Sequence, residues 1–288
     1  MQDSTDFEIV LRPETSWLNL ELKGIWHYRD LLLIMVWRDF STRYKQTILG
    51  PLWFILQPLL MTLVFTVLFG QVAGLSTDGL PQVLFYLCGQ LGWNYFAQNF
   101  NSNSATLVTQ AGLFSKVYFP RLIVPISSLV SNLMAFLIQL LTFAAFFVYF
   151  KSGAHADGFH LDWHVVFLPL LVLQVAAFSL GVSLLMSALT AKYRDLIHVT
   201  GVMIQVWMYC SAVIIPLSTM LAKCPPGFQW IIALNPMVTI VESFRLVLLG
   251  KGTVDAFFLS CSVGITLVVL IAGLLLFGKV EKTFVDTV

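Results

Sequence analysis

LIVPISSLVSNLMAFLIQLLTFAAFFVYF, residues 122–150, contains no Asp, Glu, Lys or Arg. As an α-helix rising 1.5 Å per residue it measures about 43 Å, more than the roughly 30 Å hydrocarbon core of a bilayer. Two further uncharged runs, Gly79 to Ser115 and Leu196 to Ala222, lie on either side of it. No soluble domain hides that much apolar sequence, so the runs read as membrane spans. Composition agrees: the chain is 58% hydrophobic and 11% charged, against about 25% charged in soluble domains. A net charge of +1 gives no general attraction to nucleic acid. Cys88, Cys210, Cys224 and Cys261 are scattered, without metal-ligand spacing. The first thirty residues are rich in charge and lack the apolar core of a secretory signal, which keeps the N-terminus on the side of synthesis.

The fold class expected is an all-α polytopic membrane protein with six transmembrane helices. They fall near Leu52–Val72, Leu80–Phe100, Leu122–Phe150, Val165–Leu189, Val199–Met220 and Ala256–Phe277. Lys and Arg in the connections set the orientation. Twelve fall on one side: Arg12, Lys23, Arg29, Arg38, Arg43, Lys45, Lys116, Arg121, Lys192, Arg194, Lys279 and Lys282. Four (Lys151, Lys223, Arg245 and Lys251) fall on the other. That asymmetry places both termini in the cytoplasm of a bacterial inner membrane. Residues 1–50 read as a cytoplasmic N-terminal segment and 51–288 as the transmembrane domain.

Two segments depart from simple spans. In WHYRDLLLIMVWRDFSTRYKQT (26–47), charges bracket an apolar Leu31–Trp37 too short to cross, so an amphipathic helix lying in the cytoplasmic interface is expected. Residues 221–252 carry Pro225, Pro226, Gly227 and Asn235-Pro236, followed by Glu242 and Arg245. Two short re-entrant helices between spans 5 and 6 fit this punctuation, since broken backbone at membrane depth requires a protein cover. Glu242 and Arg245, one helical turn apart, read as an ion pair: a functional site, or a structural clamp at the outer headgroup level. Gly70/Gly74 and Ala177/Gly181 have spacings that permit close helix contact.

The chain has no GxxxxGK[ST], HExxH, CxxC pair or GxSxG. His155, His160 and His164 with Asp157 and Asp162 could bind a metal, but a solvated loop explains them better. The expectation is no metal, no cofactor and no catalysis in this chain.

Several strings together resemble one family. WRDFSTRYKQTILGPLWFILQPLLMTLVFTVLFG (37–70), FSKVYFPRLIVPISSLV (114–130), ALTAKYRDLIHV (188–199), ALNPM (233–237), ESFRLVLLG (242–250) and GKVEKTFVDTV (278–288) occur in order over most of the chain. They are similar to the ABC-2 type permeases that export polysaccharide, especially those of O-antigen exporters. The resemblance implies a homodimer bound to two separate ATPase subunits, which hold the ATP and Mg²⁺. It implies a polyprenyl-linked polysaccharide as cargo, with membrane lipids as the surroundings.

Within that frame the short cytoplasmic connections would couple to the ATPase. Phe114, Lys116, Tyr118 and Arg121 serve in the first, and Tyr193, Arg194 and Asp195 in the second. Aromatic residues beside charges are the usual composition of interface hot spots. Arg38, Arg43 and Lys45 lie where a lipid diphosphate would arrive, because Arg grips phosphate oxygens bidentately; general attraction to anionic lipids explains them equally. Trp53, Phe54, Gln57, Phe65, Trp93, Asn94, Tyr95, Trp207 and Tyr209 could line a glycan conduit, with Gln90, Gln98, Asn99, Asn101 and Gln205 supplying exchangeable hydrogen bonds. Such a conduit must bind weakly at many points. Trp163 and Trp230 fit the ordinary aromatic belt.

A capsule or teichoic-acid exporter is the near alternative, and a drug or small-lipid exporter on the same fold is a further one. A polyprenyl transferase would need paired acids to hold Mg²⁺, and a passive channel would need a selectivity filter; neither pattern is present.

Overall fold

Apolar rods with lipid-facing flanks make up the outside of the molecule in its computed structural model. The structure describes residues 26–45, 47–114, 116–117, 119–153, 159–225 and 227–285, the side chains of 43, 44 and 282–285 excepted. Arg12, Lys23, Tyr118, His155, Asp157 and Pro226 lie outside the described residues, as do the side chains of Arg43 and Lys282. Every regular element among the described residues is helical.

In chain order these are α1 (Arg29–Tyr44), α2 (Trp53–Phe65), α3 (Gln82–Asn103), α4 (Thr106–Thr109), α5 (Ala111–Phe114), α6 (Ile123–Lys151), α7 (Leu168–Lys192), α8 (Leu196–Tyr209), α9 (Leu217–Lys223), α10 (Gln229–Ala233), α11 (Pro236–Leu249) and α12 (Ala256–Val285). A 3-10 turn precedes α2 and a π-helical stretch, Thr66–Val72, follows it, making one rod from Gly50 to Val72.

Four rods among the described residues are long and apolar enough to cross a bilayer: Gly50–Val72, Ile123–Lys151, Trp163–Lys192 and Ala256–Glu281. The most apolar stretch of each is only 17–28% buried inside the chain. Outward-facing Leu60, Leu63, Leu141, Leu170, Leu173, Val268 and Ile271 show why hydrocarbon must be their solvent.

Helix α3 is the hub. It packs against α2, α6, α7, α8 and α11, and fifteen of its 22 residues are buried. At about 33 Å it is long enough to span. It contains Gln90, Asn94, Gln98, Asn99 and Asn103, which protein rather than lipid covers. The Asn132 amide donates to Asn99 Oδ1 (2.7 Å), and the Asn99 amide donates to Ser179 Oγ (3.2 Å), stitching α6, α3 and α7 together. Gln90 donates to Thr62 Oγ1 on α2 (2.9 Å), and Tyr95 to the Leu129 carbonyl on α6 (3.2 Å). Interhelical hydrogen bonds and small residues replace hydrophobic contrast where lipid is the solvent.

The expected fifth span, Val199–Met220, is divided. Helix α8 has 14 residues, about 21 Å, and ends at Tyr209; α9 starts at Leu217, after Pro216. Of Gly70 and Gly74, only Gly70 makes a close helix contact, against the side chain of Gln82 at the start of α3; Gly74 has left the helix (φ +60°), and a Cβ there would meet no atom within 4 Å. Gly181 does make the close approach expected of Ala177/Gly181, against Leu270 and Gly273 of α12.

Candidate functional site

The buried charges of α11 form the most strongly built site. Asn235 caps this helix, its side-chain oxygen accepting from the Met237 amide (3.2 Å), and Pro236 supplies a pre-set first residue. Gly250 ends it in the left-handed conformation (φ +66°), where an added Cβ would lie 2.7 Å from the His160 carbonyl oxygen. Thirteen of its 14 residues are buried. Glu242 and Arg245 are each about 1% exposed, with Arg245 Nη1 donating to Glu242 Oε2 at 2.9 Å.

The pair holds three other elements. Arg245 Nη2 donates to the Val213 carbonyl (2.9 Å), and Glu242 Oε2 accepts from the Leu217 amide (3.5 Å). Glu242 Oε1 accepts from the Thr253 amide (3.3 Å). The guanidinium lies 3.7 Å from the centre of the Phe85 ring on α3. Asn235 donates to the Cys210 carbonyl (3.0 Å) and Ser211 Oγ (3.2 Å) and accepts from Trp207 Nε1 (3.0 Å). Both ends of the break between α8 and α9 are thus fastened to α11. Backbone groups freed at the break find partners within the protein. The clamp is buried inside the protein, and Arg245 lies on α11 rather than in a loop. Gly89 and Gly92 make room for it: a Cβ on Gly89 would sit 2.9 Å from Arg245 Nη2, and one on Gly92 3.0 Å from the Phe244 ring. The spacing GQLG (89–92) carried that signal in the sequence.

The expected coupling residues divide into two sets. Lys116, Tyr193, Arg194 and Asp195 are exposed, with the Lys192 ammonium 5.3 Å from the Tyr193 ring centre. Phe114 and Arg121 turn inward. Phe114 packs with α1 residues in one apolar cluster and with α12 residues in another. The Arg121 guanidinium lies 5.3 Å from the Phe114 ring centre and donates to the Glu281 carbonyl (2.8 Å).

The basic residues of α1 also differ among themselves. Arg38 is held by its neighbour Asp39, through Nη2 at 2.9 Å and Nε at 3.1 Å, whereas Lys45 is exposed. Tyr28, Leu31, Leu32 and Met35 seat the helix on Phe119, Ile123 and Val124; Leu33, Ile34 and Trp37 face outward.

Of the conduit residues, Trp53, Gln57 and Tyr209 are exposed on the isolated chain. Gln205 and Asn101 are exposed too. Phe54, Phe65, Trp93 and Tyr95 are buried, and Asn94 and Trp207 are half-buried. Phe96, Phe178 and Trp207 form an aromatic cluster with centroids 5.1–5.9 Å apart. A narrow cleft lies between Phe54, Pro58, Gln90, Asn94, Gln139 and Thr142. Asp162 lies 3.6 Å from His160 and 3.5 Å from His164, and the described residues contain no cluster of three or more metal-ligating side chains.

Lipid-facing rods around a polar, hydrogen-bonded hub, with charges buried under helical cover, define a polytopic membrane protein. Its sequence matches the family described as ABC-2 type transporter over residues 30–249, and the chain belongs to that family. It is 28% identical to the O-antigen export system permease protein RfbA of Myxococcus xanthus over 267 residues, 93% of this chain and 98% of that protein. A protein of the same name from Klebsiella pneumoniae is 27% identical over 258 residues, 89% of this chain and 94% of the relative. The polysialic acid transport protein KpsM of Escherichia coli is 22% identical over 251 residues, covering 87% and 93% of the two chains.

Proposed function

We propose that this chain is the membrane subunit of an ATP-driven exporter that moves a lipid-linked polysaccharide of the O-antigen type out of the cytoplasm. The observation that carries the proposal is end-to-end similarity to permeases named for that export, reaching 98% of one relative's length. The similarity to a polysialic acid transport protein keeps the capsule-type cargo as the second reading.

In this reading the chain crosses the inner membrane six times. The four apolar rods are joined by α3 and by α8 with its broken continuation α9, while α10 and α11 re-enter from the outer face. Both termini are cytoplasmic. Two copies pair, and each binds one ATPase subunit through the exposed Lys116, Tyr193, Arg194 and Asp195. Trp53, Gln57, Gln205 and Tyr209, exposed on thin-walled α2 and α8, provide apolar faces and hydroxyl partners for a sliding glycan. Weak, repeated contacts suit a moving polymer, because a tight site would arrest it. Phe65, Trp93 and Tyr95 act behind that wall, as packing. Lys45 and its neighbours draw anionic headgroups to the entrance, and the Arg38–Asp39 pairing favours general lipid attraction over a dedicated diphosphate grip.

The test is deletion of the chain's gene and re-expression, with surface glycan measured by immunoblot. Loss of surface glycan with polymer retained on its lipid inside the cell is expected. Undiminished surface glycan overturns the proposal, and loss of capsule with O-antigen intact selects the second reading. Arg194→Glu tests the docking surface. It should abolish export and weaken co-purification of the ATPase, because reversing a rim charge opposes the partner's field. Unchanged co-purification and export would remove Arg194 from that surface.

A further inference from the structure

Three helices of the cytoplasmic end meet at one ring. Phe114 closes α5, contacts Phe119 at 5.8 Å between centroids, and packs against the apolar cluster of Met35 of α1, Phe119, Ile123 and Val124. Its other side packs in the cluster of Leu107, Leu122, Leu184 and Phe277, with Leu274 and Val280 of α12. Arg121 seals this junction. Its side chain is 11% exposed, and it reaches across 160 residues of sequence to donate to the Glu281 carbonyl (2.8 Å), with Nε 3.6 Å from Glu281 Oε1. The far face of the guanidinium covers the Phe114 ring at 5.3 Å. Helix α12 is about 45 Å long. It therefore extends about 15 Å past the hydrocarbon core, and Glu281 lies in that extension.

We propose that Phe114, Arg121 and Glu281 form a latch that carries displacement of the first cytoplasmic connection into α12 and α1. Arg121 is a positioning residue in this scheme, not an ATPase contact. The inference rests on the reading above, in which an ATPase docks on the exposed residues of this end. A push on Lys116 reaches Phe114 within one short loop. From there a packed ring moves α1, and a charge-assisted hydrogen bond to main chain moves α12. The carbonyl contact matters, because it couples Arg121 to the path of the α12 backbone as well as to a side chain. Lys presents a single ammonium and cannot reproduce the two contacts of a planar guanidinium.

The experiment uses the full-length permease co-expressed with its ATPase subunit. It compares wild type with Arg121→Lys, Arg121→Glu, Glu281→Arg and the exchanged pair Arg121→Glu/Glu281→Arg. Surface glycan, ATPase co-purification and ATP turnover of the purified complex are measured together. The single changes are expected to lower export about tenfold, within the range of site-to-site coupling. Co-purification and ATP turnover should persist, so that more ATP is hydrolysed per glycan exported. The exchanged pair restores only the side-chain attraction, because a carboxylate at position 121 cannot donate to the carbonyl of residue 281, so export should recover only in part. A purely structural role would reduce assembly, turnover and export in parallel, and that outcome overturns the proposal. Wild-type export in the single variants also overturns it. Failure of the wild-type chain to retain any ATPase strikes the underlying reading instead, so the two failures are told apart.

Discussion

Glu242→Gln is expected to unfold the α8–α11 region of this protein. The carboxylate is about 1% exposed and serves Arg245, the Leu217 amide and the Thr253 amide. The amide that replaces it can still accept a hydrogen bond but leaves the guanidinium buried without a counter-charge, over the Phe85 ring and beside the Val213 carbonyl. Removing one partner of a buried pair costs about 3–5 kcal/mol, against about 0–1 kcal/mol for an exposed one. That is a large part of the roughly 5–15 kcal/mol by which a domain is stable. The measurement is thermal loss of monodisperse protein in detergent. A fall in midpoint shared by Glu242→Gln and Arg245→Ala, with partial recovery in Glu242→Leu/Arg245→Met, is the expected pattern. The apolar double variant leaves no buried charge, so it should beat either single change. Wild-type stability in both single variants would show that the pair is solvated, contrary to its burial. A probe of local opening is already in the chain. Cys88 is fully buried beside Arg245 and Glu242, so its thiol becomes reactive only when that packing opens.

Gly273→Leu should be at least as damaging, for a steric reason. Helices α7 and α12 make the most extensive helix contact in the fold, and there the two backbones touch. A Cβ on Gly273 would collide with the Gly181 carbonyl oxygen, and one on Gly181 would lie 2.7 Å from the Leu270 backbone. Ordinary overpacking costs about 1–3 kcal/mol because side chains can shift. Here the obstacle is main chain, so the helices must separate along their length and forfeit the dispersion contacts on which association in lipid depends. Gly264→Leu is the control: it lies on the same helix, with no atom within 4 Å of an added Cβ. Loss of folded protein for Gly273→Leu and normal yield for Gly264→Leu are expected. Equal yields would mean that the α7–α12 contact is looser than described.

The two predictions mark the boundary between composition and packing. That residues 122–150 cross a membrane follows from transfer energies summed along a run, and such a sum needs no neighbours. The rods at Gly50–Val72, Trp163–Lys192 and Ala256–Glu281 were legible for the same reason. The family was legible because its strings recur in order. Helix α3 was harder. Its amides make it a poor lipid-facing span and a good hub, and only its fifteen buried residues settle which. The ion pair was visible as spacing but not as burial, because one helical turn brings Glu242 and Arg245 together wherever the helix lies.

Among the candidate site residues, local chemistry pointed to Phe114, Arg121 and Arg194 alike. Tertiary contacts separate them, since Phe114 and Arg121 face α1 and α12 while Arg194 faces out. The conduit aromatics divide in the same way: Trp53 is outside and Phe65 within. Sequence by itself determined that this protein lives in lipid as helical rods and belongs with the ABC-2 type transporters. Those properties depend on how much apolar surface each segment carries and on the order of its strings. Only the tertiary structure decided that the apolar run 199–220 breaks at Cys210–Pro216 and that α11 holds it through Asn235, Glu242 and Arg245. A freed carbonyl chooses its donor by distance, and distance between segments far apart in the chain exists only once the helices have packed.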